Sequence, residues 1–260
     1  MDVTEHDKKY WRYEYDVVAN YLIPLLRRWG VQIEEARLLD VGCAYSGGIC
    51  AMHDAGMVCR GFDFDERFVA IANGLRGNRK FHIVLADIHE DPAPYAGETF
   101  DLVVLHDVFE HLEKKHLALQ RLKSYLSQAG EILITFPPYY SAFGAHQQVL
   151  NSKFARLPYF HLLPFALTAI LPGLMDEHRP FIEEVQRLGK MKMGLAKFER
   201  LVDEAGLHVA HRKHYLIGPN HIRFGLKPVG AGILGRIPGI RELLTTGAIY
   251  LIAREGALSE

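Results

Sequence analysis

Leu38-Leu39-Asp40-Val41-Gly42-Cys43-Ala44-Tyr45-Ser46-Gly47-Gly48, with Val58-Cys59-Arg60-Gly61-Phe62-Asp63 after it, is the stretch whose reading decides the fold. An apolar run that breaks at glycines and feeds a helix brings backbone N–H groups close to a ligand. The following strand ends at Asp63, about twenty residues on, where an acid is placed to hold a ribose. This is nucleoside-cofactor chemistry. Asp40 narrows it, because a carboxylate just before the turn repels a pyrophosphate and suits a cationic group. A further acid, Asp87, closes a third apolar strand, Phe81 to Ala86.

Outward from that core, strands and helices alternate over residues 37–137. Strands are expected at 37–42, 58–63, 81–86, 101–106 and 130–136, with helices near 47–56, 65–76 and 113–127. The alternation implies a parallel sheet wound by right-handed crossovers, and the apolar strands imply helices on both faces. Ahead of it, Tyr10, Tyr13, Val17, Val18, Tyr21, Leu22, Leu25 and Leu26 recur at helical spacing, predicting an amphipathic helix over 8–29 that Pro24 kinks or splits. Residues 138–194 interrupt the pattern with prolines and aromatics. They fall at the carboxyl edge of the sheet, where ligands bind, and read as a cap over the substrate within a single 1–260 domain. A second irregular stretch covers 217–245.

The motifs continue in order. Phe100 to Leu112, reading FDLVVLHDVFEHL, then Glu131-Ile132-Leu133-Ile134-Thr135-Phe136-Pro137, then Phe198 to Leu207 all resemble segments of the class I S-adenosylmethionine-dependent methyltransferases. The glycine turn of that family usually reads D-x-G-C-G-x-G; here its second glycine is Ala44, which leaves the register of later glycines ambiguous. The resemblance spans roughly 37–137 and 195–255. It implies a Rossmann-like, seven-stranded, mostly parallel α/β sheet whose last strand, here Ala248 to Ala253, is antiparallel. It also implies S-adenosylmethionine as cofactor and a methyl acceptor as partner. Asp40, Gly42, Cys43 and Ala44 would meet the methionine end, Asp63 with neighbouring Phe64 the ribose, and Asp87 the adenine amino group, with Ala86 and Ile88 lining the base. His106 would face cofactor or acceptor.

Three histidines are candidates for chemistry. His146 follows the fifth strand at the mouth of the site, where an imidazole can take a hydroxyl proton as the methyl transfers. His106 and His111 flank the fourth strand's turn, and either one is equally readable as a packing residue. Tyr10, Trp11 and Tyr13 fold over the cofactor or pack the core. His161, His178, His214 and His221 show no metal-ligand spacing, so no metal is expected.

Composition sets outer limits. With 30 basic against 31 acidic residues and no basic run, phosphate-driven nucleic-acid binding is not indicated. The three cysteines lack metal spacing and read as reduced residues, and the N-terminus has no apolar signal core, so a cytoplasmic protein is expected. Leu157 to Met175 is the longest apolar stretch; its three prolines make it a poor spanning helix but compatible with contact with lipid or a lipid-linked substrate. The apolar cap points to a small, partly apolar acceptor, methylated at oxygen because His146 offers a base. Two other readings stay open. Gly42-x-Ala44-x-x-Gly47 is a degenerate dinucleotide fingerprint of an NAD-dependent oxidoreductase, and a non-catalytic S-adenosylmethionine-binding protein would carry the same motifs.

Overall fold

The computed structural model describes residues 3–145, 157–163 and 187–256. Its strands are β1 (Arg37–Val41), β2 (Val58–Asp63), β3 (His82–Leu85), β4 (Phe100–His106), β5 (Leu126–Phe136), β6 (Leu207–Ile217), β7 (Val229–Gly230) and β8 (Gly247–Arg254). They form one sheet in the order β3-β2-β1-β4-β5-β8-β6-β7. β1 to β5 are mutually parallel, and β8 runs antiparallel between β5 and β6. The expected mostly parallel, Rossmann-like sheet with an antiparallel last strand is present. Its strand count is eight because Val229 and Gly230 add a short edge pairing to Tyr215 and Ile217.

Strand side chains alternate between two cores. Leu38, Leu102, Val104, Leu133 and Leu251 point into one core, and Leu39, Val103, Leu105, Ile132, Ile134 and Ile252 into the other. Period-two placement on a sheet covered on both sides explains why these strands read as unbroken apolar runs. The first face is covered by α1 (Glu5–Val17), α2 (Ile23–Arg28) and α3 (Gly47–Asp54), and α4 (Glu66–Leu75) adds Ala72 to the same core. The second is covered by α5 (Lys115–Ser124) and α6 (Leu195–Glu204), while α7 (Ile240–Leu244) lies near the end of the chain.

Several boundaries differ from expectation for local reasons. α1 starts at Glu5 instead of residue 8, because Thr4 and Asp7 form a reciprocal capping box, with Asp7 N–H to Thr4 Oγ1 at 3.2 Å and Thr4 N–H to Asp7 Oδ2 at 2.9 Å. Pro24 divides the N-terminal helix as expected. A π turn over Val18–Leu22 carries Ile23 N–H to Val18 O, five residues back, and Pro24 then sits in the first turn of α2, where its missing N–H costs nothing. The helix expected to reach 127 stops at Ser124, and β5 begins at Leu126, since Phe100 N–H bonds Tyr125 O at 2.7 Å and Leu126 pairs with Phe100.

α1 crosses the N-terminus of α3 at very short range. A Cβ on Gly47 would lie 2.1 Å from Trp11 O and 2.8 Å from Tyr15 N, backbone atoms that have no room to retreat. One residue on, a Cβ at Gly48 meets only Val18 Cγ2 at 3.4 Å, an ordinary contact. Gly47→Ala is therefore expected to cost about 1–3 kcal/mol through overpacking, whereas Gly48→Ala gains up to about 1 kcal/mol of helix propensity. Urea denaturation of both variants checks this; equal effects would mean that the helix contact is not tight.

Candidate functional site

The sheet order reverses between β1 and β4, so the carboxyl ends of these strands leave a crevice between them. A cavity of about 300 Å³ opens there. Asp40, Gly42, Cys43 and Ala44 form its floor, Val104, His106, Asp107, Pro137 and Phe143 one wall, and Tyr13, Glu14, Val18 and Met52 another. Asn220, His221, Arg223 and Thr246 close the remaining side.

The floor is a strained turn fastened to the end of β2. Gly42 has φ +76, and a Cβ there would strike Val108 Cγ2 at 2.7 Å. Ala44 and Ser46 hold φ +40 and +68, in the left-handed region that L side chains enter at a cost. A glycine would relax Ala44, which accounts for the family's usual residue at that position. The turn is held by Gly42 N–H to Phe62 O at 2.9 Å, Ser46 N–H to Cys43 O at 2.7 Å and Ala44 N–H to Asp63 Oδ2 at 2.9 Å. Asp63 Oδ1 accepts the N–H of Asp65 at 3.0 Å.

Three carboxylates converge on this turn. Asp40 and Asp63 are buried, and Glu14 reaches from α1 so that Gly47 N–H donates to its Oε2 at 3.0 Å. Burial, then the like charge of Asp63, pushes Asp40 up to about 7. Burial pushes Glu14 up to about 8 against the Gly47 hydrogen bond, with Asp40 adding repulsion. Burial likewise raises Asp63. No Lys or Arg pairs with these acids among the described residues. A site like this attracts a cation and repels a pyrophosphate, which sets it against the dinucleotide reading.

Opposite the acids, Asp107 has φ +58 and is fixed from several sides. Its N–H donates to Thr135 O and Oγ1, both at 3.1 Å, and Thr135 Oγ1 donates to its Oδ1 at 2.8 Å. Asn220 Nδ2 donates to its Oδ2, and Tyr13 Oη donates to Asn220 O at 2.8 Å. This chain of bonds links β4, β5, the 3₁₀ turn Pro219–Phe224 and α1 across the cavity. Burial lowers His221, and the Arg223 guanidinium lies 5.5 Å from the centre of the Tyr13 ring.

Of the residues expected at the site, Asp40, Gly42, Cys43, Ala44 and His106 line the cavity, and Asp63 lies directly behind Ala44. Phe64 is 75% exposed beyond it. Asp87 caps its own turn, accepting His89 N–H at 2.8 Å with His89 Nδ1 at 3.0 Å. Ala86 N–H donates to Asp63 O at 3.0 Å, and Ile88 is buried in the second core. His111 does not line the cavity. Arg187 donates to its carbonyl at 2.7 Å and lies 3.1 Å from its Nδ1, and Glu110 Oε1 lies 3.5 Å from its Nε2, a packed arrangement. His146 falls outside the described residues. Of the N-terminal aromatics, Tyr13 reaches the cavity, Tyr10 stacks on Tyr45 at 5.4 Å and Trp11 packs against the core. Glu14, Asn220 and Arg223 were not singled out from sequence. The signal for Glu14 is a carboxylate on the helix face that also carries Tyr10, Val17 and Tyr21. The turn 219–224 carries no periodic signal.

The raised acids have a consequence for stability. A carboxyl whose pKa rises on folding binds its proton more tightly folded than unfolded, so stability is lost as pH climbs from the unfolded value of about 4 toward the folded one. Histidines held low by burial, His161, His214 and His221, weaken the fold only below their ordinary value of about 6.5. Lys115, lowered by burial to about 8, adds stability only as pH rises above that. Between pH about 6.5 and about 8 the protein should therefore lose thermal stability as pH rises, and Asp40→Asn should flatten the slope. Scanning calorimetry at constant ionic strength checks it, and a level wild-type profile would show the acids to be ordinary.

Comparison with known proteins agrees with this geometry. Residues 39–134 match the family described as "Methyltransferase domain". No curated protein matches the chain. Among solved structures, the chain is similar to the plantazolicin methyltransferase BpumL in complex with SAH, at 14% identity and TM-score 0.59 over 96% of this chain and 90% of that one. It is also similar to an S-adenosylmethionine dependent methyltransferase from Mesorhizobium loti, at 16% identity and TM-score 0.56 over 92% and 100%. A third likeness is to magnesium protoporphyrin IX methyltransferase from Synechocystis with bound SAH, at 13% and 0.53 over 98% and 90%. At these identities the likeness is one of fold. Residues 39–134 thus match a methyltransferase domain, and the chain shares its fold with S-adenosylmethionine-dependent methyltransferases.

Proposed function

We propose that the protein transfers a methyl group from S-adenosylmethionine to oxygen on a small, partly apolar acceptor. The observation that carries the cofactor half is the convergence of Asp40, Glu14 and Asp63 on the glycine turn with no cationic side chain beside them among the described residues. S-adenosylmethionine, when bound, supplies an electrophilic methyl on a positively charged sulfur. Asp40 and Glu14 would hold cationic groups of such a molecule beside the Gly42–Ala44 turn. Each Asp63 carboxylate oxygen accepts one backbone N–H and keeps a lone pair for one hydroxyl of a vicinal diol.

The acceptor half rests on the opposite wall. Val104, Pro137 and Phe143 offer apolar surface, and His106, Asp107, Asn220 and His221 offer polar contacts. Methyl transfer of this kind needs alignment and the exclusion of water more than a dedicated catalytic group. Residues 138–194 act as the cap that excludes water. In the described part of this segment, Tyr139 N–H bonds Met193 O at 2.8 Å, Tyr159 N–H bonds Ala142 O at 2.7 Å, and Phe143 reaches the cavity. His146 is the base that takes the hydroxyl proton, with His106 second in line because it lines the cavity. No helix among the described residues is long and apolar enough to cross a membrane, and the three cysteines are free and buried, in keeping with a reducing cytoplasm.

Two measurements test this. Asp63→Ala should weaken S-adenosylhomocysteine binding by about 1.5–3 kcal/mol, the loss of charge-assisted hydrogen bonds. Unchanged calorimetric affinity in a folded variant removes Asp63 from the site, and tighter binding of NADH than of S-adenosylhomocysteine overturns the cofactor assignment.

With a labelled methyl donor and a panel of hydroxylated apolar acceptors, His146→Ala should lower turnover by roughly 10²–10⁴-fold without changing cofactor affinity. Full activity in that variant, with loss of activity in His106→Ala, moves the base to β4. Failure of label to reach any acceptor favours a non-catalytic binding protein.

A further inference from the structure

Ten of the eighteen large apolar side chains exposed among the described residues fall within residues 222–244. They include Phe224 at 61%, Leu226 at 46% and Ile233 at 76%, and none belongs to a long amphipathic helix. This segment is not loose chain. β7 pairs with β6, Ala231 N–H bonds His214 O at 2.8 Å, and buried His214 Nδ1 lies 3.0 Å from Gly235 O. Arg241 grips Glu199 through two bonds of 3.0 and 2.6 Å, and Glu242 caps α6 by accepting Leu195 N–H at 2.9 Å and Ala196 N–H at 2.7 Å. The backbone is anchored by specific polar contacts while apolar side chains face outward from its turns. Leu157, Leu162 and Leu163 are exposed nearby in sequence to Tyr159, whose hydroxyl donates to Leu243 O at 3.1 Å.

The uncommitted charge on this segment is positive. Between residues 219 and 246 the only acid is Glu242, already committed to the α6 cap, and Arg241 is neutralised by Glu199. Lys227 and Arg236 have no ion pair among the described residues, and the Arg223 guanidinium stacks on Phe224 at 4.7 Å. Apolar tips that project from turns beside unpaired cations are complementary to a bilayer bearing anionic headgroups, which takes up both at once. From these features we infer that residues 222–244 are a membrane-docking surface for anionic lipid.

The surface joins the cavity through one turn. In Pro219–Phe224, Asn220, His221 and Arg223 line the cavity, while Ile222 and Phe224 are exposed on the docking side. A corollary, which rests on the methyl-transfer reading, is that the acceptor is an amphipathic molecule drawn from the lipid phase into the cavity.

The test is co-sedimentation of the full chain, without cofactor, with vesicles of phosphatidylcholine alone or mixed with phosphatidylserine. Binding is expected to the mixed vesicles and to weaken with salt. Leu226→Ser with Ile233→Ser should lower partitioning about tenfold or more, and Lys227→Gln with Arg236→Gln about fivefold per charge while abolishing the preference for phosphatidylserine. S-adenosylhomocysteine affinity, measured separately, should be unchanged in both variants and reports on folding. It also separates the two readings, since loss of vesicle binding leaves the cofactor site standing and the reverse holds too. Wild type that stays in the supernatant, or variants that partition like wild type, overturn the docking surface. So does a dimer in sedimentation velocity that Leu226→Ser with Ile233→Ser dissolves, because the surface then belongs to a second copy.

Discussion

Like charge gathered in a low-dielectric crevice is the constraint on which the rest of this structure turns. Asp40 and Asp63 are buried at the ends of adjacent strands, and Glu14 is brought to them by a helix from the far N-terminus. Isolated carboxylates in such a place are costly unless they are hydrogen-bonded, protonated or met by a cation. Two of the three use the backbone: Asp63 binds the N–H groups of Ala44 and Asp65, and Glu14 that of Gly47. Those bonds also define the turn. Without Asp63 behind it, Ala44 has little reason to hold a positive φ, and without the short approach at Gly47 the Glu14 carboxylate would not reach the site.

The same geometry links site to fold through protons. Around neutral pH the raised acids are divided between charged and neutral forms, so the crevice relieves its repulsion by keeping protons. A cationic ligand takes over that task and favours the ionised forms. Binding in this site is thereby coupled to proton release, and the stability of the free protein to pH in the opposite sense from proteins whose acids are salt-bridged.

Much of this was legible in the sequence, for physical reasons. Strands covered on both faces must be apolar throughout, so β1, β2, β4 and β8 stand out; the glycine turn stands out because Gly42 needs a positive φ and tolerates no Cβ. What was not legible depends on tertiary contact. The end of α5 turned on a bond from Phe100 to Tyr125, whereas the start of α1 is local, a capping box completed by Asp7 in place of the usual Glu or Gln. Glu14 sits in an aromatic helix that reads as core packing, and only the crossing at Gly47 brings its carboxylate to the cavity. The contacts of Asp87 with His89 N–H and of Ile88 with the second core are likewise set by the fold of the chain after β3. The short strand β7 has no apolar alternation at all and exists because β6 offers it an edge.

The division between what the family match explains and what it does not follows the same line. Residues 39–134 supply the floor of the cavity, Asp40 to Ala44, and the β4 end with His106 and Asp107. Tyr13 and Glu14 come from before that segment, and Phe143, Asn220, His221, Arg223 and Thr246 from after it. The floor of the cavity is built from strand ends whose spacing the sheet dictates, so it can recur wherever the sheet recurs. The walls are carried by an N-terminal helix and a C-terminal turn, held together across the cavity by the Tyr13–Asn220–Asp107–Thr135 chain of hydrogen bonds. Nothing in the sheet requires those side chains. They are free to vary while the sheet stays the same, which is why a shared fold does not by itself fix what the walls receive.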